Sequence, residues 1–169
     1  ISHILRSEHM IRQTITILAG FLGLCMLCSC ENKWPDNGKL DGMWQLMEIV
    51  RDDSVSHVKD SKLYWSIRSN LVQLSCIDGD RKYSHFRKTG TTLTIYDLCF
   101  YSDNATAEDN NEWIMPEDAH LLARWGIEPV AATDDSMAGP LMQVFTIETL
   151  TSSRMVLSAG HYKLVFRKF

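Results

Sequence analysis

The stretch Leu63-Tyr64-Trp65-Ser66-Ile67-Arg68-Ser69-Asn70-Leu71-Val72-Gln73-Leu74-Ser75-Cys76 decides the fold. Leu63, Trp65 and Ile67 alternate with Tyr64, Ser66 and Arg68, the period of two that sends successive side chains to opposite faces of a strand. Ser69-Asn70 supplies turn chemistry, and Val72, Leu74 and Cys76 then resume the alternation against Gln73 and Ser75. Two half-apolar strands joined this tightly read as a hairpin.

The pattern continues on both sides. Asp78-Gly79-Asp80 turns the chain into Lys82 to Lys88, and Thr89-Gly90 turns it again into the β-branched run Thr92 to Tyr96. Phe145 and Ile147, then Met155 and Leu157 after Thr151-Ser152-Ser153, and finally Tyr162 to Phe169 after Gly160 repeat the theme. With Met43 to Val50 in front, about eight strands are expected. Along that first strand, strict alternation puts Met43, Met47 and Ile49 opposite Trp44, Leu46 and Val50. Short antiparallel links favour an all-β, eight-stranded up-and-down meander that removes its edges by closing into a barrel. A two-sheet sandwich is the rival. A barrel of eight strands either holds one small ligand or is filled by its own side chains.

Cys99 to Leu141 is too long for a strand connection. Ser102 to Glu112 is acidic but lacks the glycine and terminal Glu of a calcium loop, which favours a solvated segment. Pro116-Glu117-Asp118 opens a predicted helix, with Leu121, Leu122 and Trp125 as its apolar side and Gly126 at its end. This helix is expected to cap one barrel end as a lid or plug, anchored by Trp113 and Trp125.

The N-terminal region carries an address. Ile15 to Leu27 is thirteen mostly apolar residues, short of the roughly 20 needed to span a bilayer and suited to a secretory leader. It follows Met10-Ile11-Arg12 and runs into Leu27-Cys28-Ser29-Cys30, which reads as a lipobox with Cys30 as the acylated residue. The organisation expected is upstream readthrough at 1–9, a lipoprotein signal peptide at 10–29, a tether at 30–38 and the barrel at 39–169. More than one acyl chain on Cys30 makes a stable membrane anchor. Glu31, in place of Asp, points to the outer membrane of a cell envelope. Cys76 and Cys99 then remain in an oxidising compartment, either bridged or buried as free thiols. Net charge is −4 at pH 7, and with no basic stripe nucleic acid is a poor partner.

Leu40-Asp41-Gly42-Met43-Trp44 resembles the opening of the lipocalin-like (calycin) superfamily, whose first strand starts Gly-x-Trp. Family members often end on an Arg packed across that Trp, and Arg167 is the matching residue in Val165-Phe166-Arg167-Lys168-Phe169. The resemblance extends over 39–169 to small lipocalin-like domains of secreted bacterial lipoproteins. It implies structural closure for Gly42, Trp44 and Arg167, not catalysis.

Catalytic signatures are missing from the chain: there is no Gly-x-Ser-x-Gly, no His-Glu-x-x-His and no phosphate-cradling glycine loop. His57, His85, His120 and His161 are scattered, so no enzyme, cofactor or metal is expected. Two readings follow. One is a membrane-anchored binding lipoprotein taking a small hydrophobic or amphipathic ligand, with Tyr64, Trp65, Tyr83, Phe86, Tyr96, Phe145, Trp113 and Trp125 as candidate lining. The other is a non-enzymatic envelope lipoprotein that docks on another protein and whose interior is only a core. Asp53-Ser54-Val55 and Asp135-Ser136-Met137 also resemble O-glycosylation acceptors of some Gram-negative envelopes, or are simply turns.

Overall fold

The computed structural model describes residues 36–52, 54–100 and 112–169. The expected upstream segment, signal peptide and most of the expected tether with Cys30, and nearly all of the acidic 102–112 stretch, lie outside them.

Among the described residues ten strands form: β1 (Gly42–Arg51), β2 (Ser54–His57), β3 (Tyr64–Arg68), β4 (Leu71–Ser75), β5 (Arg81–Thr89), β6 (Thr92–Phe100), β7 (Val130–Ala131), β8 (Leu141–Leu150), β9 (Arg154–Ala159) and β10 (Tyr162–Lys168). Eight of them, β1, β3, β4, β5, β6, β8, β9 and β10, pair antiparallel in that order, and β10 returns to β1. The meander therefore closes into a barrel with no free edge in its wall. The two short extras share edges with wall strands: β2 pairs the second half of β1, and β7 pairs the start of β8.

Alternation fixes which side chains face inward. Trp44, Leu46, Trp65, Ile67, Val72, Leu74, Leu93, Ile95, Phe145, Leu157, Leu164 and Phe166 form one buried cluster. At β1 the strict pattern fails. The register to β10 slips between Leu46 and Glu48, an extra residue that forms a bulge. After it Ile49, not Val50, is buried. Register shifts of the same kind occur where β5 meets β6 and where β8 meets β9. Such bulges sharpen the bend a closing wall needs.

Both ends are stoppered. At one, a short 3₁₀ helix (Gly38–Leu40) lies under Trp44, whose indole N–H donates to the Leu40 carbonyl at 2.8 Å. At the other, residues 113–127 lie over the mouth, Trp113 pairing with Cys99 ahead of a ten-residue helix (Pro116–Trp125). That helix is 3₁₀ rather than α. With three residues per turn, Ala119, Leu122 and Trp125 line up on one face. Leu122 and Trp125 are fully buried, whereas Leu121, expected on the apolar side, is 39% exposed.

Candidate functional site

The bore of the barrel is filled by its own residues. Trp44, Trp65, Leu74, Ile95, Phe145, Leu157 and Leu164 have no accessible surface, so no water-sized void adjoins them. From the mouth, Ile114, Leu122, Trp125 and Ile127 are likewise fully buried and act as the stopper. Gly126 lets the stopper turn: its φ is +75°, and an added Cβ would overlap the Leu164 side chain.

The two halves of the bore differ chemically. The half against Trp44 is apolar apart from two indole N–H groups, those of Trp44 and of Trp65, which are paired residues on β1 and β3. The half beneath the stopper carries polar side chains on inward positions: Lys82 and Ser84 on β5, Gln143 on β8 and Tyr162 on β10. Trp65 Nε1, Ser84 Oγ and Gln143 Oε1 are buried and meet no hydrogen-bond partner among the described residues. The Tyr162 hydroxyl lies beside the Glu128 backbone without a well-formed bond; burial, and then the Glu128 carboxylate, push it up to about 12. Unpartnered buried polar atoms are uncommon, and each costs about 1–3 kcal/mol.

A charged latch holds the stopper at its rim. Arg124 pairs with Asp78 at 3.0 Å and lies 4.9 Å over the Trp125 ring. Lys82, paired with Asp80, reaches inward to 5.0 Å from Phe100 and 5.8 Å from Trp125. The Cys76 thiol donates to the Asp78 carboxylate, which with the Arg124 guanidinium holds Asp78 at about 2. Burial, followed by that same bond, raises the Cys76 thiol, and burial raises Cys99. Both sulfurs are therefore neutral, not activated thiolates.

Several expectations are corrected by this geometry. Cys76 and Cys99 are free. They occupy opposite faces of the wall, because Cys76 continues the inward positions of β4 while Cys99 pairs outward-facing Tyr83 and contacts its carbonyl at 3.6 Å. The cation over Trp44 is Lys168, at 4.9 Å, and not Arg167. Arg167 falls one residue short on the alternating strand, points outward and donates to Gln45 at 3.0 Å. Gly42, with φ +128°, leaves room for the Lys168 side chain to cross. The candidate lining residues divide. Trp65, Phe86, Phe145 and Trp125 are buried and inward, whereas Tyr64, Tyr83 and Tyr96 occupy the outer wall and Trp113 is half-buried over Gly139.

One residue had no signal in the sequence. Asp97 sits at the β5–β6 bulge with φ +54° and is buried. It accepts from the Gly139 N–H at 2.8 Å and faces His85 Nδ1 at 3.1 Å, tying the start of β8 to the wall. Only pairing across the sheet could reveal it. Outside the wall a cleft of about 220 Å³ lies among Val50, Asp52, Glu148, Ser158, Gly160, His161, Tyr162 and Lys163. Among the described residues no group of three His, Cys, Asp or Glu side chains is placed to hold a metal ion.

Comparison with known proteins agrees with this architecture. A model of the lipocalin-like domain family matches residues 25–169. The chain belongs to the lipocalin-like domain family. A lipocalin-like protein from Bacteroides uniformis is similar in structure, with TM-score 0.51 and 21% identity over 78% of this chain and 100% of that one. A protein from Bacteroides eggerthii matches with TM-score 0.47 and 22% identity, over 76% of this chain and 98% of that one. A search of the curated proteins finds no match. Lipocalin-like barrels are binding folds more than catalytic ones.

Proposed function

We propose that this lipocalin-like barrel is a non-enzymatic binding lipoprotein of the bacterial cell envelope. Cys30 anchors it to the membrane, and a small amphipathic molecule enters the bore when the stopper at 113–127 lifts. The supporting observation is the pair of buried, unpartnered polar atoms of Ser84 and Gln143 beneath the stopper, with the Trp65 indole N–H, also unpartnered, lower in the bore on the residue paired with Trp44. In the closed form they are frustrated, and together they remove a sizeable part of a marginal stability of about 5–15 kcal/mol. A ligand with a polar head relieves that frustration, and its apolar part takes the place that Ile114, Leu122, Trp125 and Ile127 vacate above the packed bore. The part of the latch that must break, Arg124 with Asp78 and Asp80, is composed of exposed, solvent-screened ion pairs.

Native mass spectrometry of the mature chain, isolated from its own envelope without detergent, should show a discrete co-purified small molecule. Ser84→Ala should raise the melting temperature of the free protein yet lower the retained fraction. A bare protein whose stability is unmoved by Ser84→Ala would sink the carrier reading.

A second reading has its own observation. The bore is filled by side chains with no accessible surface, as expected of a domain that docks through its exterior and uses its interior only as a core. Crosslinking in intact cells separates the two. Stoichiometric capture of one envelope protein supports docking, and a monomer with bound small molecule supports carriage.

A further inference from the structure

The end of the barrel closed by Trp44 has a surface that carriage does not use. The Asn37 side chain donates to the Ser69 carbonyl at 2.8 Å, so Asp36 and Asn37 lie beside the β3–β4 turn at this same end. Lys39, Arg68, Lys88, Arg154 and Arg167 are exposed here, against Asp36, Asp41 and, in the turn that Gln45 ties to Arg167, Asp60. Lys39, Arg68, Lys88 and Arg154 have no ion-pair partner among the described residues. Arg154 and Arg167 stand directly opposite one another on β9 and β10, a pairing that like charges destabilise unless an anion offsets them. Beside these cations Phe169 is 70% exposed, Leu71 42% and Met43 38%. The opposite end is rich in acids, with Asp52, Asp78, Asp80, Glu117 and Asp118 around the mouth and stopper.

We propose that the Trp44 end is a membrane-docking face that rests on anionic phospholipid headgroups, with Phe169 and Leu71 entering the interfacial layer. Only its orientation rests on the anchor proposed at Cys30. Six residues from there to Asp36 reach at most about 20 Å, so the tether brings this basic end, and not the acidic mouth, to the leaflet. Basic side chains within a Debye length of an anionic surface each strengthen binding roughly five-fold. The arrangement leaves the mouth and its stopper turned away from the bilayer.

The test uses residues 30–169 with Cys30→Ser, so that no acyl chain contributes, and sedimentation with vesicles. Vesicles of phosphatidylcholine and phosphatidylglycerol in equal parts should bind the protein, pure phosphatidylcholine should not, and added salt should weaken binding. The triple variant R68E/K88E/R154E should lose at least about a hundred-fold in partitioning with an unchanged melting temperature. Reversal of an exposed cation at the other end, K163E, next to the 159–162 turn and opposite Val50, should leave partitioning intact. Phe169→Ser should weaken it several-fold. No binding to the anionic vesicles, or equal binding by the triple variant, overturns the proposal. The anchor is judged separately, by the mass of the mature N-terminus: an unacylated Cys30 removes the tether and leaves the vesicle result standing.

Discussion

At Trp44, the alternation of β10 chooses between two neighbouring cations. Lys168 lies directly opposite Trp44 across the β1–β10 ladder, and its ammonium also donates to the carbonyls of Lys39 and Asp41. Lys168→Met should therefore lower unfolding stability by about 1–2 kcal/mol, from the lost cation–π contact and charged hydrogen bonds. Arg167→Met should change it by less than about 0.5 kcal/mol. Urea midpoints for the two variants decide between the residues, and the reverse order would reject this closure geometry. Asp97 makes the second residue-level case. Asp97→Ala removes the acceptor for the Gly139 N–H and leaves alanine in the left-handed region, so a loss of about 2–4 kcal/mol is expected in the same assay. Asp97→Asn, which tolerates that backbone and keeps an acceptor, should recover more than half of it. Gly-x-Trp was legible because it is local. Asp97 was not, since its importance depends on a bulge and on a segment 42 residues away.

For the stopper element, the period is what matters. An α-helical reading groups Leu121 with Leu122, but three residues per turn separate them. Leu122→Ala should destabilise by about 2–5 kcal/mol and Leu121→Ala by under about 0.5 kcal/mol; similar losses at the two positions would mean an α-helix in solution. The latch gives this element a pH dependence. Asp78 is held at about 2 when folded, by the Cys76 thiol first and Arg124 second, against about 3.9 for an unperturbed Asp. Its contribution is thus complete above about pH 4 and is lost as pH falls towards 2. The Trp125 environment should be constant from neutral pH down to about 4 and change below it. Asp78→Asn should flatten that acid limb of the tryptophan fluorescence, and an unaltered limb would mean the latch does not restrain the stopper. Pro116 and Gly126 marked the limits of this element correctly because Pro starts helices and a left-handed turn suits Gly. Its winding and its buried face depend on what lies beneath it.

Over the whole molecule, closure by β1 and β10 makes the wall strands mutually dependent, while β2 and β7 pair only along one edge. All four residues of β2 are exposed. Amide exchange should therefore be slowest, and governed by global unfolding, in the central residues of β1, β3, β9 and β10, and fastest in β2 and β7. Protection in β2 equal to that in β10 would contradict a ring with two appendages. The charge distribution follows from the same topology. Every other turn returns to the same end, so the basic residues of 68, 88 and 154, far apart in sequence, collect at the Trp44 end. The net charge of −4 conceals this segregation.

By itself, the sequence determined the all-β class, the eight wall strands, the tight turns between them and the closing tryptophan, because each depends on side chains within a few residues of one another. Which residues face the bore beyond a bulge, which cation covers Trp44, whether two cysteines meet and whether the bore is empty or filled were decided only by the tertiary structure. One extra residue in a strand reverses every side chain after it, and a volume is filled by residues that only folding brings together.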